Sequence, residues 1–157
     1  MIERVRHAEG ERYDGRPEAE RLLLVARRVE DGRFLFARWA DWPHPALIST
    51  LPPGPAEGFE AGLETLLRGR FGVRPAGSAR RSERRLPVRM AHPAGGGEAL
   101  GWLRPVAVEV AGEPRPAGPI EAVDALTLEE GLAALTTDVE RAGFRLGASL
   151  FNDGPFN

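Results

Sequence analysis

Three glutamates at helical spacing are the residues of this chain best placed to do chemistry. Glu57, Glu60 and Glu64 follow one another at intervals of three and four residues, which places them on one face of a helix. Carboxylate oxygens are the ligands that Mg²⁺ and Mn²⁺ take in proteins, and a bound cation activates water for attack at phosphorus. The simpler interpretation is a solvated acidic face near a helix start, where acids also favour the helix dipole.

A cluster of arginines follows the acidic residues and suggests anion binding. Planar guanidinium forks hold phosphates well, so this segment could bind a diphosphate without metal or contact a nucleic-acid backbone. The alternative is an ordinary solvated surface. All 21 basic residues of the chain are arginine, as is typical of a GC-rich genome, so arginines also occupy the surface positions that lysine fills in other proteins. The cluster comprises Arg68, Arg70, Arg74, Arg80, Arg81, Arg84, Arg85 and Arg89.

The remaining reactive residue types give no further site. The chain has no cysteine, so it offers neither a thiolate ligand nor a cysteine nucleophile. His7, His44 and His92 lack the spacing of metal ligands. Trp39 and Trp42 precede the acidic segment, where a nucleotide base could stack on them, although core positions are the simpler interpretation.

Hydrophobic periodicity predicts the elements that must position these side chains. Leu63, Leu66, Leu67 and Phe71 recur at helical spacing and should face the core. Capping boxes at Thr127 and Thr137 predict two further helices, the second reaching to about residue 150. The predicted helix of the acidic segment covers residues 58–71, and strands are expected over residues 22–26, 33–39, 46–50, 84–90, 100–111 and 120–126.

Composition indicates one domain over residues 1–157, long enough for a sizeable core. A hydrophobic content of 42% is typical of globular proteins. No apolar run approaches the roughly 20 residues of a membrane helix, and the first residues do not resemble a signal peptide. A formal net charge of -2 predicts no general attraction to nucleic acid or membrane. We therefore expect a cytoplasmic α/β protein with no membrane partner.

The segment from residue 51 to 73 resembles the signature of the Nudix family, whose members hydrolyse nucleoside-diphosphate-linked compounds. That signature runs Gly, five residues, Glu, seven residues, Arg-Glu-apolar-x-Glu-Glu-x-Gly-apolar. The pieces that flank it in the family also have counterparts here, in Asp31-Gly-Arg-Phe-Leu-Phe-Ala-Arg38, Leu51-Pro-Pro-Gly54, Gly72-Val73 and Ile120-Glu-Ala-Val-Asp-Ala-Leu-Thr-Leu-Glu-Glu130. The resemblance is strongest over residues 20–150 and implies an α/β/α sandwich with a mixed sheet.

Neither alignment of the signature retains the glutamates that hold metal in the family. Aligned from the front, Gly54, Glu60 and Arg68 fit the frame, but the following glutamate positions fall on residues 69, 72 and 73, which are Gly, Gly and Val. Aligned from the back on Gly72-Val73, the Arg-Glu-apolar-x-Glu-Glu core becomes Thr-Leu-Leu-Arg-Gly-Arg over residues 65–70. Arg70 then brings a positive charge to the place where the resemblance puts a cation.

The resemblance and the missing glutamates together favour a Nudix-fold protein with a degenerate metal-binding box. Such a protein binds a nucleotide-type ligand or a protein partner, needs no cofactor and is not an enzyme. Arg38, Trp39, Arg68 and Arg70 are then the expected ligand contacts. The resemblance also makes a homodimer an expectation, since many proteins of this fold pair.

Two other functions stay open. The first is an active Nudix-type pyrophosphohydrolase that uses Glu57, Glu60 and Glu64 with Mg²⁺ or Mn²⁺. The second is an interaction module whose arginine cluster grips RNA or an acidic protein, although the net charge makes nucleic acid the less favoured partner.

Overall fold

The computed structural model describes residues 20–40, 42–50, 58–91, 98–118 and 120–152, and shows an α/β fold. Within these residues the strands are β1 (Glu20–Arg28), β2 (Phe34–Trp39), β3 (Trp42–Ala46), β4 (Ser49–Thr50), β5 (Arg74–Pro75), β6 (Arg80–Arg81), β7 (Leu86–Ala91), β8 (Glu98–Ala111) and β9 (Ile120–Leu126). The helices are α1 (Phe59–Arg70), α2 (Leu128–Ala134) and α3 (Asp138–Ser149), followed by a 3₁₀ turn over Leu150–Asn152. No helix in the described residues is long and apolar enough to cross a membrane.

Strands β1 and β8 form the centre of a mixed sheet. They run parallel over the whole length of β1, and β5, β6 and β7 pair antiparallel with β8. The other edge of β1 pairs with β2 at one end and with β4 at the other. Strand β2 also pairs with β3 and β9. The predicted β1–β2 hairpin is confirmed, with Arg27 opposite Phe34.

Alternation along β1 divides the core between the two faces of the sheet. Leu22 and Leu24 belong to an apolar cluster that contains Leu63 and Leu67 of α1. Leu23 and Val25 point to the opposite face and join a second cluster, which contains residues of α3. Because successive side chains of a strand point to opposite faces, a strand covered on both sides reads as a continuous apolar run. The predicted α/β/α sandwich is therefore confirmed.

The expected strand over residues 46–50 is wrong in its extent. The structure instead has β3, which ends at Ala46 and pairs with β2, and β4, which begins at Ser49 and pairs with β1. Strand β3 was not predicted because it contains Pro43 and Pro45, and proline lacks the backbone N–H that pairs neighbouring strands. Such prolines are tolerated here because β3 stands at one end of the strand order.

Candidate functional site on helix α1

The apolar residues of α1 fix which of its side chains reach the surface. Leu63 and Leu67 are each only 1% exposed and pack against the sheet, while Leu66 is partly buried beside them. At 100° per residue, Glu60, Glu64 and Arg68 line up along one flank of this apolar stripe. The sequence therefore positions two carboxylates and one guanidinium in a row beside the core.

Glu60 is bonded to the segment that connects β5 and β6. Its Oε1 accepts a hydrogen bond from the backbone N–H of Ala79 over 3.2 Å. One residue earlier on the helix, the ring of Phe59 lies 4.4 Å below the guanidinium carbon of Arg81. The first turn of α1 is thus held against the β5–β6 segment by a charge-assisted hydrogen bond and a cation–π contact.

Glu64 and Arg68 form an ion pair one helical turn apart. The distance from Arg68 Nε to Glu64 Oε2 is 2.8 Å, and the two side chains are 59% and 47% exposed. Exposed pairs at this spacing contribute about 0.3–0.5 kcal/mol, so the pair is a weak one. Among the described residues no three His, Asp or Glu side chains come together as a metal site. Glu57, the third glutamate of the sequence prediction, lies outside the described residues.

Arg70 sits on the buried side of the last helical turn. It is half-buried, and its Nε is shielded from solvent. Gly69 is exposed, and a Cβ built there meets no atom within 4 Å. The helix ends immediately afterwards because Gly72 adopts a φ of 69°, which favours glycine.

Arg38 and Trp39, the other predicted ligand contacts, lie on β2 rather than on α1. The Arg38 Nε donates to a carboxylate oxygen of Asp124 on the adjacent strand β9. Trp39 is 6% exposed and is part of the core cluster under α1. The sequence does not predict Asp124 as the partner of Arg38, because a single aspartate in a strand belongs to no recognisable motif.

Several residues of the arginine cluster contact their own chain. Arg80 Nη1 donates to the carbonyl oxygen of Leu150 over 2.8 Å, at the C-terminal end of α3. The guanidinium carbon of Arg85 lies 4.4 Å from the ring centre of Trp102. Arg81 stacks on α1 as described above. These arginines therefore help to hold the β5–β7 region against the rest of the fold.

Comparison of whole structures relates this architecture to known proteins. Neither a family model nor a curated protein matches the sequence. The MutT protein of Methanosarcina mazei Go1 matches in structure with a TM-score of 0.59 at 15% identity, over 88% of this chain and 98% of that protein. The dihydroneopterin triphosphate pyrophosphohydrolase of E. coli matches with a TM-score of 0.59 at 12% identity, over 90% of this chain and 97% of that one.

The chain has the Nudix fold.

A third Nudix-fold structure is similar and contains a ligand. The Nudix domain of NrtR from Shewanella oneidensis, complexed with ADP ribose, matches with a TM-score of 0.57 at 12% identity, over 88% of this chain and 94% of that domain. At such identities the likeness is one of fold, and residue roles do not transfer with it. The fold predicted from the signature is nevertheless confirmed, and α1 lies within the segment that resembles the signature.

Proposed function

We propose that this Nudix-fold chain binds a nucleotide-type ligand beside α1 and does not hydrolyse it. The observation that carries the proposal is the set of residues at the family's glutamate positions when the signature is aligned from the back. These residues are Leu66, Gly69 and Arg70, of which one packs against the core, one has no side chain and one is cationic. None of them supplies an oxygen ligand for a hard cation.

Two structural features favour the back alignment over the front one. It assigns the buried Leu67 to the apolar position within the signature. It also assigns the signature's glycine to Gly72, whose positive φ ends the helix. Aligned from the front, that glycine would instead fall on Pro75 in β5.

The charge balance of α1 also argues against metal-dependent hydrolysis. Between Phe59 and Arg70 the helix carries Glu60 and Glu64 against Arg68 and Arg70, so its formal charge is zero. A dication is held by an excess of negative oxygen ligands, and a nearby guanidinium repels it. A metal ion could displace Arg68 from the weak ion pair with Glu64, but the Arg68 guanidinium would stay close to that ion and repel it.

The same arginines suit a ligand that brings its own negative charge. Arg68 is exposed on α1, whereas Arg38 lies between Ala37 and Trp39 of the cluster under α1 and therefore points to the other face of the sheet, away from this site. Guanidinium groups bind phosphate oxygens directly, so a diphosphate could be held without a bridging metal. The Nudix domain of NrtR was crystallised with ADP ribose, which makes this compound the first ligand to test.

A hydrolysis assay coupled to a binding assay tests the proposal. The purified chain is incubated with nucleoside triphosphates, dinucleotides, ADP ribose and nucleotide sugars, each with Mg²⁺ or Mn²⁺. We expect no turnover, together with saturable ADP ribose binding by calorimetry that is weakened about tenfold or more by Arg68→Gln. Glu121→Gln, which removes an exposed charge on β9, is the matched control and should bind normally.

Two results would overturn the proposal. Metal-dependent turnover that disappears in the Glu57/Glu60/Glu64→Gln variant but survives Glu121→Gln would establish the alternative, an active hydrolase with unusual ligands. Absence of both turnover and nucleotide binding in folded protein would leave a protein- or RNA-interaction module. RNA binding would then be identified by a steep loss of affinity with added salt.

A further inference from the structure

A cleft of about 280 Å³ opens between the β1–β2 turn and the C-terminal end of α3. Phe34 and Ala148 line it, and both belong to the apolar cluster beneath α2 and α3. The residues of α1 pack in the other cluster, on the opposite face of the sheet. The cleft is therefore separate from the candidate nucleotide site.

The charged residues that line this cleft are both cationic. Arg27 enters from β1 and Arg145 from α3, and no carboxylate belongs to the lining within the described residues. Arg145 is exposed on its helix and makes no ion pair with any described residue. Its guanidinium therefore has no counter-charge among the residues that the structure describes.

The acidic groups around the β1–β2 turn are engaged by other arginines. Asp31 forms a two-pronged ion pair with Arg28. Glu130 lies 3.6 Å from Arg33 and also accepts a hydrogen bond from the backbone of Thr127. These pairs balance their own charges, as Arg27 and Glu109 also do, so the net positive charge at the cleft comes from Arg145.

Arg27 is held in place before any ligand arrives. Its Nη2 donates to Glu109 Oε2 over 3.2 Å, and its guanidinium carbon lies 4.1 Å from the ring centre of Phe151. Its side chain is 26% exposed. A guanidinium already fixed by a carboxylate and a ring loses little further entropy when it binds an anion.

Apolar and neutral polar groups complete the lining. Leu128, at the start of α2, is 41% exposed, one of two large apolar side chains so exposed in the described residues. Ser149 Oγ donates its proton to the carbonyl of Leu146 over 2.7 Å, so it forms part of the wall and leaves recognition of an anion to the arginines. Asn152 also lines the cleft. Apolar walls with a few convergent polar groups are typical of small-molecule sites.

We propose that this cleft binds a small organic carboxylate with an aryl or short acyl body. The carboxylate lies between Arg27 and Arg145, and the body covers Phe34 and Leu128. The volume is just below the usual lower limit of about 300 Å³ for ligand pockets, so the ligand is small. This site is independent of the nucleotide proposal, because the two lie on opposite faces of the sheet.

The test uses 2-naphthoate as the probe and the uncharged 2-naphthamide as its neutral counterpart. Titration of the ¹⁵N-labelled chain should shift the amide signals of Phe34, Leu128, Arg145 and Asn152, and leave those of α1 unchanged. Arg145→Gln should raise the Kd for 2-naphthoate about tenfold or more. Arg84→Gln, an exposed arginine between β6 and β7, is the matched control and should leave it unchanged.

Each other outcome decides against the proposal. Equal binding of 2-naphthamide would mean that the cleft recognises only the apolar body. Binding that is unaffected by Arg145→Gln, in a variant with the wild-type melting temperature, would place the probe elsewhere. Shifts confined to α1, or displacement of the probe by ADP ribose, would assign it to the nucleotide site.

Discussion

Glu60 in the first turn of α1 accepts a hydrogen bond from the backbone N–H of Ala79, which lies 19 residues further along the chain. Ala79 is itself partly buried against the core cluster under α1. The bond therefore couples the start of the candidate helix to the β5–β6 segment, and it gives Glu60 a structural role that a Nudix-type metal site would not require.

Replacing Glu60 separates this structural role from a catalytic one. Glu60→Ala removes the acceptor, and we expect the free energy of unfolding to fall by about 0.5–1.5 kcal/mol. Glu60→Gln keeps a carbonyl acceptor, so urea unfolding should place it close to the wild type. Hydrogen exchange at Ala79 should accelerate in the alanine variant only. Equal stability of all three proteins would show that the bond contributes nothing.

Close packing of α3 on the sheet predicts a large effect at one glycine. A Cβ built at Gly147 lies 2.5 Å from Val25 Cγ2 and 3.0 Å from Val25 Cβ, and Val25 belongs to the second core cluster. Gly147→Ala should therefore destabilise the chain by about 1–3 kcal/mol, because the helix must move away from β1.

A glycine in α1 provides the matched control for this substitution. Gly69 is exposed and a Cβ there meets nothing within 4 Å. Gly69→Ala should stabilise the chain by about 0.5–1 kcal/mol, since alanine favours helix and no contact opposes it. Thermal and urea unfolding of both variants measure the contrast. A stabilised Gly147→Ala variant would contradict the packing described above.

Gly72 combines an unfavourable backbone conformation with a steric restriction. Its φ is 69°, and an added Cβ would lie 3.0 Å from Arg115 Cβ and 3.2 Å from the Arg115 carbonyl oxygen. Gly32 has nearly the same φ, 70°, but open space around it. Left-handed backbone costs alanine about 1–2 kcal/mol at either position, so Gly72→Ala should cost more than Gly32→Ala. Equal losses of unfolding free energy would mean that Arg115 moves aside freely.

Much of this fold could be predicted from local sequence. The capping box at Thr127 is present with both bonds, Glu130 N–H to Thr127 Oγ1 and Thr127 N–H to Glu130 Oε1. The periodicity of α1 correctly predicted that Leu63, Leu67 and Phe71 are buried. These predictions succeeded because capping and amphipathicity depend on neighbours within about one helical turn.

The missed features depend on partners far along the chain. β5 and β6 are only two residues each and exist because β8 is long enough to pair with them in succession. The same limit applies at the candidate site, where spacing grouped Glu60 with the other glutamates. Its bond to Ala79 became visible only once the β5–β6 segment was placed beside α1.

The Arg28–Asp31 pair in the β1–β2 turn predicts a contribution to stability that is lost in acid. The hydrogen bonds from Arg28, and then from the backbone of Arg33, lower the pKa of Asp31 from its ordinary value of 3.8 to about 2. A lowered carboxyl pKa in the folded chain means that Asp31 stabilises the fold above pH 3.8, and that this contribution is lost as the pH falls through about 2. Asp31→Asn should therefore be less stable than the wild type near neutral pH, and the difference should vanish near pH 2.

Two measurements check this prediction. An NMR titration of the Asp31 carboxyl carbon should give a midpoint near pH 2, well below that of an unstructured peptide. Urea unfolding of both proteins from pH 7 to pH 2 should show the gap in unfolding free energy closing below about pH 4. Glu121→Gln, whose exposed carboxylate makes no ion pair within the described residues, should show a smaller change over the same range. A midpoint near 3.8, or a pH-independent gap, would mean that the Arg28–Asp31 pair is not formed in solution.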